Sequence, residues 1–267
     1  MKILVIVAVF AITAASAIAQ PPGAGADAAK AEEANNAIVT LQPQAAKAVS
    51  EGRLDEAVDL FRKILGYVPG DPSTLNNLAV VHMRRAAARS KASTGNKLPD
   101  GAVADLREAA RYSAESVANA AKQPGTPRSS VTQYRATHAE AMRLVASRVD
   151  RTQADAAAAA YKEYLAAEQN ASAKASAQRN LALMLYDLES FQRAIPEFEA
   201  VLAAFPADYD LLFGYAASIA FAEDKTRHQK AADSLKRFLE IAPTNHAQRP
   251  SAQELLELLK AEGVTPK

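Results

Sequence analysis

From about residue 37 onward, apolar and polar positions alternate with a helical period. In residues 191–206, Ala194, Phe198, Val201 and Leu202 fall at i, i+4, i+7 and i+8 and share one helical face. The preceding stretch, 180–188, offers Leu181, Ala182, Leu185 and Leu188 with the same periodicity, and Glu189-Ser190 between them leaves room only for a tight, antiparallel turn. Beyond the N-terminus there are no β-branched runs, and most prolines and glycines collect between periodic segments, where they end helices. The pattern predicts helices over 54–66, 73–92, 101–122, 128–148, 152–169, 174–188, 191–204, 208–222, 228–241 and 252–261. Pro250 and Ser251 introduce the last of these, with Glu254 completing a capping box.

The periodic segments repeat. Ala157, Ala194 and Ala231 are each 37 residues apart. Four residues after each comes a large side chain (Tyr161, Phe198, Leu235), and eight after each comes a leucine (Leu165, Leu202, Leu239). Pro206 and Pro243 close two of the units, and Ala57, Phe61, Leu65 and Pro69 repeat the pattern near the start. The alanine lets a neighbouring helix approach, the large residues fill the space beside it, and the proline forces a turn. One such pair cannot bury both its faces, so pairs stack and share a core.

These residues resemble the tetratricopeptide repeat. The first helix of that family carries a leucine and a small residue, here Leu78-Ala79, Leu181-Ala182 and Tyr215-Ala216, and the second carries the alanine, aromatic and proline set above. Residues 52–72 and 190–208 match most closely; residues 84–130 contain no clean unit. The resemblance implies an all-α fold, a right-handed solenoid of stacked antiparallel helix pairs. The final helix, with Leu255, Leu256, Leu258 and Leu259 opposite Glu254, Glu257 and Lys260, is expected to cap its apolar end.

The N-terminus reads differently. Lys2 is the only charge before residue 27, an apolar run follows, and Ala17-Ile18-Ala19 forms a small-residue cleavage site, the pattern of a secretory signal peptide. The alternative is an uncleaved anchor, for which the 17 residues Ile3–Ala19 stand at the short limit of a bilayer span. The expected organisation is a signal peptide over 1–19, a disordered linker over 20–36, a repeat domain over 37–261 and a flexible tail over 262–267. Residues 20–36 are assigned to a linker because they lack large apolar side chains. Export to a bacterial periplasm or beyond follows from this reading. The full chain has 31 basic and 30 acidic residues, and losing Lys2 balances them, which argues against nucleic-acid binding and attachment to anionic lipid. No cysteine is present, so packing alone must hold the fold.

The sequence offers no support for catalysis. His82, His138, His228 and His246 are scattered, without the close pairs a metal site uses, and there is no G-x-S-x-G, P-loop or G-x-G-x-x-G. No cofactor or metal is expected. First helices of such a stack line its concave groove, and a face offset from the packing face presents Asn76, Val80 and Met83 on one segment, Arg179, Leu183 and Tyr186 on a second, and Phe213, Ala217 and Phe221 on a third. That lining suits an apolar or amphipathic peptide. The expected function is a non-enzymatic scaffold or adaptor binding a protein or peptide partner in the cell envelope. Alternatives are an architectural self-assembling protein and an accessory subunit of an envelope enzyme or export complex.

Overall fold

The structure, a computed structural model, describes residues 26–92 and 97–267, with side-chain environments from residue 29. The expected signal peptide and residues 20–25 lie outside the described residues. Among the described residues there are eleven α-helices, two 3-10 turns and no strand. They divide into two compact units, with the boundary between Tyr164 and Leu165.

The first unit contains α1 (Ala26–Ser50), α2 (Leu54–Tyr67), α3 (Pro72–Ala92), α4 (Asp100–Ala121), α5 (Arg128–Arg148), a 3-10 turn (Arg151–Gln153) and most of α6 (Ala154–Ala167). Consecutive helices pack as pairs, α1 on α2 and α3 on α4, with α5 laid on α4. Ile38, Ala45, Ala48 and Val49 of α1 meet Ala57, Val58, Leu60, Phe61 and Ile64 of α2 and Leu75, Leu78 and Ala79 of α3 in one core. A second core joins Val80, Met83 and Ala86 of α3 to Ala102, Leu106 and Ala109 of α4 and Ala141, Leu144 and Val145 of α5. Tyr161 of α6 donates to Glu140 Oε2 of α5 at 3.1 Å, joining that pair through a polar contact.

The start of α1 corrects the expected linker. Residues 26–36 are helical, and Ala34 is buried with Ile38, one turn further on. Composition missed this because alanine needs no bulk to be buried when a second helix supplies the apolar surface. The helix also runs through Pro43. The region without a clean repeat, 84–130, resolves into the ends of α3 and α5 with all of α4, and α3 and α4 form a helix pair like the others.

The second unit contains the end of α6, then α7 (Ala171–Asp187), α8 (Phe191–Leu202), α9 (Tyr209–Phe221), a 3-10 turn (Lys225–Arg227), α10 (His228–Ile241) and α11 (Arg249–Ala261). Again α7 pairs with α8 and α9 with α10, while α11 packs on α10. Asn170 and Asp208 cap α7 and α9 by accepting from the Ala173 and Leu211 amides. The expected capping box at α11 does not form: the helix begins at Arg249, which places Ser251 inside its first turn. The expected flexible tail touches α10, with Gln229 donating to the Thr265 carbonyl, Lys236 to the Lys267 carbonyl, and the Lys267 amide to Asp233.

The repeat code is borne out at its alanine and large-residue positions, whereas at the leucine position Leu65, Leu202 and Leu239 are only partly buried and Ile64, Val201 and Phe238, one residue earlier, fill the core. Ala57, Ala157, Ala194 and Ala231 are all fully buried in second helices, and so are Phe61, Phe198 and Leu235, with Tyr161 almost so. First helices differ. Every residue from Pro72 to Met83 in α3 and from Leu211 to Ile219 in α9 is buried, on all sides of the helix. Each is hemmed in by its own partner and by the helices before and after it, so it keeps no free face over that length.

Candidate functional site

This enclosure decides the fate of the expected groove. Asn76, Val80 and Met83 are buried, the last two in the core shared by α3, α4 and α5. Phe213 and Ala217 are also buried in α9. These five residues do not line an open surface. An offset face is free only if nothing packs on it, and here the following first helix does.

The remaining four sit in the second unit and are accessible to different degrees. Arg179, Leu183 and Tyr186 of α7 are partly buried, and Phe221, the last residue of α9, is 56% exposed. The aromatic side chains are in mutual contact. The Tyr186 ring stands edge-on to Phe213 at 6.4 Å and lies 6.0 Å from Phe191. Phe191, the first residue of α8, lies 5.1 Å from Phe221. Phe213 continues inward to Phe238 at 5.5 Å. The result is an aromatic ladder running from the core to a solvent-exposed rung at Phe221. Burial raises the Tyr186 phenol pKa, so its hydroxyl stays protonated and remains a hydrogen-bond donor.

Two charged clusters flank the ladder. Arg179 Nε donates to Asp208 Oδ2 at 2.6 Å and pairs with Asp210 at 3.6 Å, tying α7 to the start of α9. Burial, and then the neighbouring Asp208 charge, raise the Asp210 pKa. Beside Phe191 and Phe221 is a cleft of about 430 Å³, lined by Gln192, Ile195, Pro196, Ala222, Asp224 and Arg227. Pro196 lies inside α8 and has no N–H for the Gln192 carbonyl, so a backbone acceptor loses its usual helical donor at the cleft. Arg227 pairs with Asp224 at 2.5 Å and Glu199 at 3.2 Å, and Glu199 also accepts from Lys230 at 2.9 Å and Tyr215 at 2.7 Å. The Lys230 ammonium is the chief reason the Glu199 carboxyl titrates below its usual range.

Sequence reasoning missed Phe191, because it reads as the start of a helix rather than part of a face. It also missed a buried polar cluster in the first unit. Asp105 of α4, almost fully buried, accepts from His82 Nδ1 at 2.8 Å, Arg85 Nε at 2.8 Å and Arg89 Nη1 at 2.7 Å, all from α3. Arg85 also reaches Asp55 of α2 at 2.7 Å. The available signal was Asp105 itself, a charged residue in phase with Ala102, Leu106 and Ala109 on the apolar stripe of its helix. No group of three metal-ligating side chains converges among the described residues.

No protein-family model matches the chain, and no curated protein matches it significantly. Among solved structures it is similar to YrrB, whose crystal structure is described as that of a tetratricopeptide-repeat protein with an unusual peptide-binding site. The TM-score is 0.59 at 15% identity, over 87% of this chain and 100% of that one. With its consecutive helix pairs and its buried alanine–aromatic code, the chain has the helical-repeat fold of a tetratricopeptide-repeat protein.

Proposed function

We propose that this chain is a protein-interaction scaffold that holds a peptide segment of a partner on the α7–α9 face of its second unit, acts in the cell envelope after export, and performs no chemistry of its own. The observation that carries the reading is Phe221: a phenylalanine 56% exposed at the end of an otherwise buried helix, its ring tilted against Phe191 at 5.1 Å, next in the chain to Ala222, which lines the cleft. A large aromatic left in water beside a concave surface is the common anchor of a peptide interface. Arg179, Leu183 and Tyr186 continue that surface along α7 and supply a cation, an apolar side chain and a hydroxyl. The peptide-binding site described for YrrB supports the same class of function. Export rests on the N-terminal pattern of Lys2, the apolar run and Ala17-Ile18-Ala19. Among the described residues, no helix is long and apolar enough to cross a membrane.

The test is crosslinking in the native cell followed by mass spectrometry, comparing wild type with a Phe191→Ala/Phe221→Ala variant. The reading expects a small set of envelope proteins captured by wild type and lost by a variant that still folds. Self-crosslinks alone, unchanged by the substitutions, would replace the scaffold with an architectural protein. N-terminal sequencing of the mature chain checks export, with Gln20 expected as the first residue.

A further inference from the structure

The helix that departs from the repeat code, α4, is held by histidines from both of its neighbours. On one side, His82 of α3 is fully buried and its Nδ1 lies 2.8 Å from Asp105 Oδ1. On the other, the Nδ1 of His138, on α5 and partly buried, lies 3.1 Å from Ser113 Oγ. Asp105 and Ser113 are two turns apart on α4. The proton positions follow from the partners. Asp105 takes three donors from Arg85 and Arg89, so it is an acceptor, and His82 Nδ1–H donates to it. Ser113 gives its own proton to the Ala110 carbonyl at 3.0 Å, so His138 Nδ1–H donates to the serine oxygen. Both rings therefore carry their lone pair on Nε2, and His82 Nε2 is buried with no partner.

We propose that this seam is an acid-sensitive latch, in which two neutral histidines, one from α3 and one from α5, hold α4 in place, and charging them releases it.

The surroundings explain the sensitivity. Arg85 of α3, whose Nη2 lies 3.3 Å from His82 Nδ1, stands beside the ring with the acids Asp105 and Glu108 of α4; Arg89 of α3 joins through Asp105, and Asp55 of α2 through Arg85. The His82 ring stacks on Tyr112 at 5.5 Å, and the Arg111 guanidinium lies over the Tyr112 ring at 3.9 Å. A proton on Nε2 would be buried without an acceptor in a cluster already rich in guanidinium groups. Around His138 the polar neighbours are Ser113 of α4 and, at longer range, Glu163 of α6. Burial lowers both imidazole pKa values, outweighing the opposing pull of Asp105 on one and Glu163 on the other. A group whose folded pKa is depressed stabilises the fold above its unfolded value of about 6.5, and that contribution drains away as pH falls below it. The second unit has no matching device. His228 Nδ1 lies 2.9 Å from Glu262 and His246 Nε2 lies 3.8 Å from Asp210, and neither ring bridges two helices through a serine or a buried aspartate. Release of α4 would uncover Val80, Met83 and Leu144 of the core it seals.

The test is hydrogen–deuterium exchange on the whole chain at pH 7.5 and 5.0, corrected for intrinsic exchange. Peptides from α4 should lose protection at least tenfold at pH 5.0 and regain it on return, while α8 and α10 stay protected. A His82→Asn/His138→Gln variant should make α4 protection independent of pH over this range. Unchanged protection of α4 in wild type, or wild-type pH dependence in a folded double variant, overturns the proposal. If the double variant does not fold at pH 7.5, imidazole titration of wild type by NMR decides. Two of the four histidines should take up their protons only together with the loss of α4 protection; titration of all four rings with α4 still protected would refute the latch.

Discussion

The ring of Phe198 closes directly on Gly214: a β-carbon built on the glycine would stand 2.7 Å from Phe198 Cζ and 3.1 Å from Cε1. Phe198 is fully buried and belongs to the repeat code of α8, while Gly214 lies in the middle of α9. Glycine is costly inside a helix, by about 1 kcal/mol relative to alanine, so its presence here reflects close packing. Gly214→Ala should therefore destabilise the chain by about 1–2 kcal/mol despite its better helix propensity, because the ring has no free space to move into. Thermal denaturation of the two chains checks it, and a raised Tm would mean the second core is looser than its contacts imply.

Asp105 is the hub of the buried cluster in the first unit, and removing it strands His82, Arg85 and Arg89 around an empty site. Breaking a buried pair from one side costs far more than the pair contributes. Asp105→Ala should cost about 3 kcal/mol by urea denaturation, whereas Asp55→Ala, at the exposed edge of the same network, should cost under about 1 kcal/mol.

Glu189 and Glu223 hold φ of +60° and +54°, the left-handed region, at the turns after α7 and α9. The turn after α1 uses Gly52 for the same task, at +75°. A side chain there strains the backbone, and glycine relieves it at the expense of a more flexible unfolded chain. Glu189→Gly and Glu223→Gly should each stabilise by about 0.5–1 kcal/mol, measured as an upward shift in the denaturant midpoint.

Phe213 and Phe221 occupy the same helix with opposite consequences. Phe213→Ala empties a core position and should cost about 3–5 kcal/mol. Phe221→Ala removes an exposed ring and should change stability by less than about 0.5 kcal/mol while weakening partner capture. Equal stability losses in the two variants would place Phe221 in the core and undo its role as an anchor.

Much of the architecture was legible in residue order. The alanine–aromatic–leucine spacing located the second helices, and the prolines and polar turns located their ends to within a few residues. Apolar periodicity is a local property, and local properties survive in sequence. The start of α1 was not legible, because alanine is buried or exposed according to what lies opposite. Helix α4 was legible as a helix over 101–122, but what keeps it in place was not: Asp105, Ser113 and Ser116 show their role only once their partners His82, His138 and the Pro72 carbonyl are seen. The candidate site was legible only in part. Helical phase puts Phe213 and Phe221 on one stripe, but cannot tell which of them a neighbouring helix covers.

The sequence by itself determined that this chain is built of helix pairs, and which residues form the repeating core. The tertiary structure alone decided which faces remain open and which polar groups are sealed inside. Burial is set by residues far apart in the chain that meet only when the pairs pack, and a periodic pattern carries no record of that meeting.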